Sequence, residues 1–74
     1  MPKLPVISGA DTIKKLEQLG YTVTRQKGSH VRLHHPSEPS KKPITVPLQD
    51  ELKRGLLNQI IKDTDISREV FTAL

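Results

Sequence analysis

The chain has 74 residues, no cysteine and a formal net charge of +4. A chain of this length buries one modest core, so we expect a single domain over residues 1–74. Without cysteine, the chain has neither disulfides nor thiolate metal sites. Because no apolar run exceeds two residues, we expect neither a membrane span nor a signal peptide, and we place the protein in the cytoplasm.

The positive charge is concentrated in the first half of the chain. Residues 1–35 carry six Lys/Arg and two Asp/Glu, whereas residues 36–74 carry six of each. The basic half also contains all three histidines, His30, His34 and His35. A localised basic patch favours a polyanionic partner such as nucleic acid or an acidic protein. The alternative is an ordinary solvated surface.

The first predicted element is a helix over roughly residues 9–19. Ser8 is a typical N-cap, and Asp11 suits the positive end of the helix dipole in the first turn. Gly20 supplies the C-terminal stop. The apolar residues recur at helical spacing and define the buried side: Ile13, Leu16 and Leu19.

Two strands follow, joined by a tight turn at Gly28-Ser29. Residues 21–24 are β-branched or aromatic, and residues 31–33 alternate apolar and polar side chains. A two-residue hairpin needs a positive φ at its first loop position, which glycine adopts at little cost. This register pairs Lys27 with His30, Arg25 with Arg32, and Val23 with His34. One basic face results, made of Arg25, Lys27, His30, Arg32 and His34.

A bulge or a longer loop near Gly28 is the alternative register. The two-residue turn leaves Tyr21 and Val23 on the basic face, whereas a bulge would bury both. The sequence does not choose between the two. In both of them the second strand has one polar side, which carries His30, Arg32 and His34.

A third strand and two helices complete the predicted elements. Residues 44–48 alternate, and Pro47 marks a strand end or a sheet edge. A second helix begins near Arg54 or Gly55, and Ser67 caps a short third helix. These helices carry the remaining core candidates: Leu56, Leu57, Ile60, Ile61, Val70, Phe71 and Leu74. The order predicts an α+β fold, α-β-β-β-α(-α), with a three-stranded antiparallel sheet and helices on one face.

The histidine spacing does not suit a metal site. His30 and His34 lie four residues apart on one strand, which separates them by ~13 Å. His35 points to the other face, and we expect His34 and His35 to be solvated residues at the strand end. No paired carboxylates and no glycine-rich phosphate loop are evident. We therefore expect no metal and no small-molecule cofactor.

The remaining candidate for a catalytic residue is His30, whose imidazole lies beside cationic side chains. A neutral His30 can accept a proton as a general base, while Arg25, Lys27 and Arg32 bind a phosphodiester and stabilise developing charge. RNA carries its own nucleophile, the 2′-hydroxyl, so this reaction needs no metal. The only two aromatic residues, Tyr21 and Phe71, are expected in the core, which leaves no aromatic platform for stacking bases.

Five stretches together resemble a known family. They are Gly20-Tyr21, Arg25-Gln26-Lys27-Gly28-Ser29-His30, Thr45-Val46-Pro47, Leu52-Lys53-Arg54-Gly55 and Ile66-Ser67-Arg68-Glu69-Val70-Phe71. In this order, over most of residues 8–72, they are similar to the HicA-type mRNA interferase toxins of type II toxin–antitoxin systems. The resemblance implies a fold similar to a double-stranded-RNA-binding domain. It also implies metal-independent cleavage of mRNA.

The resemblance further implies which residues act and which partner binds. The essential histidine of the family follows Gly-Ser, and that position is His30 here, as general base or acid. The implied partners are mRNA and a HicB-type antitoxin, which covers and neutralises the toxin. The predicted RNA-binding residues surround the histidine: Arg25, Lys27, Gly28, Ser29 and Arg32.

One departure from the family pattern leaves alternatives open. Many members carry a second histidine just after the Val-Pro element, where this chain has Gln49. A glutamine side chain forms hydrogen bonds but does not transfer protons as an acid. The alternative is therefore a non-catalytic RNA-binding module on the same fold. A third possibility is a protein-interaction domain whose basic face meets only an acidic partner.

Overall fold

The computed structural model describes residues 6–74, so residues 1–5 of the expected domain lie outside the described part. In chain order the elements are α1 (Gly9–Gln18), β1 (Thr22–Lys27), β2 (His30–His34), β3 (Ile44–Pro47), α2 (Arg54–Thr64) and α3 (Arg68–Ala73). β2 lies between β1 and β3 and pairs antiparallel with both. The predicted α+β fold with a three-stranded antiparallel sheet is confirmed.

Both ends of α1 are capped by the residues that the sequence indicated. The Ser8 hydroxyl accepts a hydrogen bond from the Asp11 amide at 3.1 Å. At the other end Gly20 adopts φ +100°, and its amide donates to the Glu17 carbonyl. The Tyr21 amide donates to the Leu16 carbonyl at 3.1 Å, which completes a Schellman motif. The chain therefore leaves α1 in a fixed direction, with Tyr21 turned into the core.

The β1–β2 register agrees with the two-residue hairpin near the turn and departs from it further along. Lys27 pairs with His30, Arg25 pairs with Arg32, and Gly28 has φ +59°. The pairing then shifts at Thr24, so that Val23 faces Leu33. The prediction that Val23 pairs with His34 is therefore wrong. A bulge does exist, but at Thr24 and not near Gly28.

The position of the bulge follows from the constraints at the two ends of β1. The cap of α1 holds Tyr21 at one end, and the glycine turn fixes Lys27 opposite His30 at the other. Between these two fixed positions β1 has one residue more than a regular pairing with β2 allows. The extra residue is Thr24, which forms the bulge. Tyr21 is buried as the bulged alternative expected, but Val23 remains 40 % exposed at the edge of the sheet. The bulged alternative would also have buried Val23, but the core lies under β2 and β3.

The hydrophobic core lies between one side of the sheet and the helices. β2 and β3 alternate, with Val31, Leu33, Ile44 and Val46 buried and their polar neighbours exposed. The predicted polar side of β2, with His30, Arg32 and His34 exposed, is confirmed. The other core residues come mainly from the helices and their flanks: Leu16, Tyr21, Leu52, Leu57, Ile60, Ile61 and Phe71. The second side of β2 and β3 is left to solvent.

The C-terminal helices close the core. α2 ends at Asp65, which has a left-handed backbone with φ 63°. Ser67 caps α3 by accepting a hydrogen bond from the Val70 amide at 3.2 Å. Phe71 is fully buried, whereas Val70 is half exposed, so the predicted core position of Val70 is wrong. Neighbouring residues of a helix point ~100° apart, and Phe71 takes the inward direction.

Candidate active site

The basic side chains of the hairpin surround a shallow depression on the exposed side of the sheet. Its volume is about 250 Å³, and its lining residues are Arg25, Lys27, His30, Arg32 and Thr45. The strand pairing explains this composition, because residues that pair directly share one side of a sheet. Lys27 pairs with His30, and Arg32 lies between Arg25 and Thr45. The bulge lies beyond these pairs and does not disturb them.

His30 is the first residue of β2, and its side chain is exposed. It lies between Lys27 on β1 and Pro47 on β3. The rings of His34 and His35 are hydrogen-bonded within the protein, whereas no such bond involves the His30 ring among residues 6–74. The His30 imidazole is therefore available to a ligand in the depression, next to three side chains that carry positive charge.

Hydrogen bonds to both turn residues fix the backbone before His30. The Ser29 carbonyl accepts a hydrogen bond from the Leu48 amide at 2.7 Å, and the Gly28 carbonyl accepts one from the Gln26 side chain at 3.2 Å. A Cβ at Gly28 would meet no atom within 4 Å, so the turn is open to solvent on that side. The segment that follows β3 thus holds the turn in place, so the backbone at the start of β2, where His30 lies, is constrained.

Gln49, two residues beyond the end of β3, is held in place through its backbone. Its carbonyl accepts a hydrogen bond from the Gly9 amide at 2.8 Å, and its own amide donates to the Pro47 carbonyl at 2.9 Å. The side chain is exposed and does not line the depression. The backbone of Gln49 therefore connects α1 to the end of β3, and this connection does not depend on the identity of the side chain.

The other two histidines have different environments. The His34 ring is exposed, as predicted, and its Nδ1 lies 2.7 Å from the Thr24 hydroxyl at the bulge. His35 is half-buried, and its Nε2 donates to the Leu19 carbonyl at 3.0 Å. The prediction that His35 is a solvated residue is wrong. Gly20 leaves the space for this ring, since a Cβ there would lie 2.8 Å from His35 Nε2.

His35 packs edge-on against Tyr21, with the ring centroids 5.0 Å apart. The Tyr21 hydroxyl and His35 Nδ1 are buried and have no hydrogen-bond partner among the described residues. Burial raises the pKa of the Tyr21 phenol above its ordinary value, and the Lys41 ammonium opposes this effect. Both rings lie on the core side of the sheet, away from the depression around His30, so they contribute to packing.

A larger depression of about 790 Å³ lies between the loop that precedes β3 and the end of α2. Its charged lining residues balance, with the cations Lys41, Lys42 and Lys62 and the anions Glu38, Asp63 and Asp65. No histidine lines it. A balanced surface of this kind does not attract a polyanion, so the smaller depression is the better candidate for nucleic-acid chemistry.

The described residues contain no group of three or more His, Asp or Glu that could hold a metal ion. Within residues 6–74, no helix has the length and apolar character that are needed to cross a lipid bilayer.

Thr45 is the lining residue that the sequence did not indicate. The strand containing it was predicted, but the loop of residues 35–43 leaves the register between β2 and β3 undetermined. In the structure, Arg32 pairs with Thr45, and this pairing brings Thr45 to the wall of the depression. The predicted residues Arg25, Lys27, His30 and Arg32 do lie together. Gly28 and Ser29 form the adjoining turn and do not line the depression.

Comparison with known structures and families identifies the class of protein. A chain of a solved structure described as a toxin–antitoxin complex from Streptococcus pneumoniae has a similar fold, with a TM-score of 0.66 and 28 % sequence identity. The match covers 81 % of this chain and 98 % of that chain. The fold is therefore one found in toxin–antitoxin complexes.

The family follows from the sequence match. The family model described as HicA toxin of bacterial toxin-antitoxin matches residues 9–66, which include every element from α1 to α2. The chain belongs to the HicA toxin family. No curated protein matches the chain.

Proposed function

We propose that this protein is the toxin of a type II toxin–antitoxin pair and that it cleaves mRNA without a metal, with His30 as the catalytic residue. The observation that carries the proposal is the position of His30 in a depression that three cationic side chains also line. Membership of the HicA toxin family supports the toxin role. Arg25, Lys27 and Arg32 are the proposed phosphate-binding residues.

Binding begins with the phosphate backbone. Guanidinium and ammonium groups donate hydrogen bonds to phosphate oxygens, and a guanidinium can donate two in parallel. The open space beside Gly28 lets a strand approach the backbone of the turn. We assign Gly28 and Ser29 to this approach, through their backbone. Tyr21 and Phe71 are both buried, so neither offers a ring for base stacking at this surface.

The chemical step uses the substrate's own nucleophile. His30 accepts the proton of a ribose 2′-hydroxyl, and the oxygen forms a new bond to the adjacent phosphorus. The bond from phosphorus to the 5′-oxygen of the next nucleotide breaks, which leaves a 2′,3′-cyclic phosphate and a 5′-hydroxyl. The cations stabilise the charge that develops on the phosphoryl oxygens. Gln49 does not ionise in water, so we assign protonation of the leaving oxygen to solvent.

A HicB-type antitoxin is the proposed protein partner, and the cytoplasm, where mRNA is found, is the proposed compartment. The similar chain from Streptococcus pneumoniae belongs to a toxin–antitoxin complex, which supports an antitoxin here. We assign neutralisation to a partner surface that blocks access to His30. The basic lining of the depression favours acidic side chains on the partner surface that covers it.

The products formed in the presence of a chelator test the reaction. Purified protein is incubated with a defined oligoribonucleotide, and the new ends are identified by mass spectrometry. The proposal predicts cleavage that the chelator does not affect, with 2′,3′-cyclic phosphate and 5′-hydroxyl ends. Cleavage that requires an added metal, or products with 5′-phosphate ends, would contradict it.

A non-catalytic RNA-binding protein is the second candidate, and Gln49 is the observation that favours it. A glutamine side chain forms hydrogen bonds but cannot donate a proton to a leaving oxygen as an acid. The second candidate predicts that the native protein binds RNA, with an affinity that falls steeply with salt, and leaves it intact. Intact RNA after incubation with saturating protein would select this function over the nuclease.

A further inference from the structure

Thr45 differs in chemistry from the other residues that line the depression. It lies on β3, its side chain is exposed, and it pairs with Arg32. The Thr24 hydroxyl is engaged by the His34 ring, whereas no hydrogen bond occupies the Thr45 hydroxyl among residues 6–74. The hydroxyl of Thr45 is therefore available to whatever binds beside His30.

The lining side chains divide into groups that only donate hydrogen bonds and groups that also accept them. Arg25, Lys27 and Arg32 only donate, which suits the oxygens of a phosphate. A sugar hydroxyl has a proton that needs an acceptor, and only His30 and Thr45 offer one among the lining side chains. If His30 takes the proton of the attacking hydroxyl, Thr45 is the acceptor that remains for a second one.

The geometry points to Thr45 as a specificity residue that accepts a hydrogen bond from a ribose 2′-hydroxyl next to the cleaved nucleotide, so that the site prefers RNA to DNA. The inference rests on the proposed function. Pro47 is the strand partner of His30, so Thr45 lies diagonally across from His30 at a separation of about 7–8 Å. A bound strand reaches both residues through neighbouring sugars. The 2′-hydroxyl is the group by which a protein distinguishes RNA from DNA.

The test compares the binding of RNA and DNA oligonucleotides of the same sequence. Each variant is made together with His30→Ala, so that the RNA stays intact while fluorescence anisotropy measures the dissociation constants. Thr45→Val removes the hydroxyl and keeps a β-branched side chain on the strand. We expect the ratio of RNA to DNA affinity to fall about 3- to 10-fold, the range for one hydrogen bond, with DNA affinity unchanged. Thr45→Ser keeps a hydroxyl and retains the ratio.

Thr22→Val is the matched control, because Thr22 is an exposed threonine of β1 that does not line the depression. An unchanged ratio in Thr45→Val, or an equal fall in Thr22→Val, overturns the role of Thr45. In that case cleavage by the native protein is unaffected, and the proposed function stands. If the native protein does not cleave RNA, the proposed nuclease function is wrong, while the ratio of RNA to DNA affinity still tests Thr45. If the native protein does not bind RNA, both the nuclease function and the role of Thr45 are wrong.

Discussion

The backbone of Gly9, the first residue of α1, packs directly against the Pro47 carbonyl at the end of β3. A Cβ on Gly9 would overlap this carbonyl oxygen and would lie 3.1 Å from the Leu48 Cα. The Gly9 amide also donates a hydrogen bond to the Gln49 carbonyl at 2.8 Å. Pro47 is the strand partner of His30, so this contact connects the start of α1 to the candidate active site.

Replacing Gly9 with alanine tests this close approach. Because the opposing atoms are backbone, they cannot rotate away, and the added methyl must displace α1 or the end of β3. We expect Gly9→Ala to lower the free energy of unfolding by about 2–3 kcal/mol, as overpacking does in other proteins. Urea unfolding followed by circular dichroism measures the difference.

Gly55→Ala is the control for the Gly9 prediction. Gly55 lies in the first turn of α2, and a Cβ there meets no atom within 4 Å. Alanine is a better helix residue than glycine, so this variant is expected to gain up to about 1 kcal/mol. Equal effects of the two substitutions would show that the contact between Gly9 and Pro47 does not constrain the fold.

The buried phenol of Tyr21 predicts a loss of stability at alkaline pH. Burial raises the pKa of Tyr21 in the folded state above its ordinary value of 10.0. The folded state therefore holds the phenol proton more tightly than the unfolded chain does. This contribution to stability is fully present below about pH 10 and is lost as the pH rises through the folded-state pKa.

Tyr21→Phe isolates that contribution. At neutral pH we expect the free energy of unfolding to be unchanged or to rise by up to about 1 kcal/mol, because the hydroxyl has no partner among the described residues. At about pH 11 the variant should lose less stability than the native protein does. Tyr21 is the only tyrosine, so tyrosinate absorbance follows its titration directly. Identical alkaline losses in both proteins would count against a raised pKa.

Salt dependence tests the cationic lining of the depression. A protein cation that contacts a phosphate releases counterions, so log affinity falls with log salt concentration by about 0.7 per contact on a single strand. Arg32→Gln, measured in a His30→Ala protein, should weaken RNA binding and reduce this slope by roughly that amount. Lys62→Gln is the control, because Lys62 is exposed beside the charge-balanced depression. A slope that changes equally in both variants would rule out a specific phosphate contact by Arg32.

The sequence predicted those parts of the fold that depend on local chemistry. The caps Ser8, Gly20 and Ser67, the glycine turn and the alternation along β2 each follow from a few neighbouring residues, and the structure has them all. The cluster of Arg25, Lys27, His30 and Arg32 followed as well, because the turn fixes the pairing closest to it.

The features that the sequence missed depend on distant parts of the chain. The bulge at Thr24 arises because α1 and the turn fix both ends of β1, and neither constraint is visible in the strand itself. His35 is half-buried because Gly20, far away in the chain, leaves room for its ring. Thr45 joins the depression through the register of β3, which a polar loop leaves open.

His30 is the residue proposed to perform the chemistry, and a comparison of two histidine variants tests this role. His30→Ala and His34→Ala each remove an exposed histidine from the same side of β2. Single-turnover cleavage of one oligoribonucleotide is measured in the presence of a chelator, with RNA binding checked separately. We expect His30→Ala to slow cleavage by about 10²- to 10⁴-fold at unchanged affinity, the range for one general base. His34→Ala should cleave at close to the native rate, and a His30→Ala protein that also did so would rule out His30 as the general base.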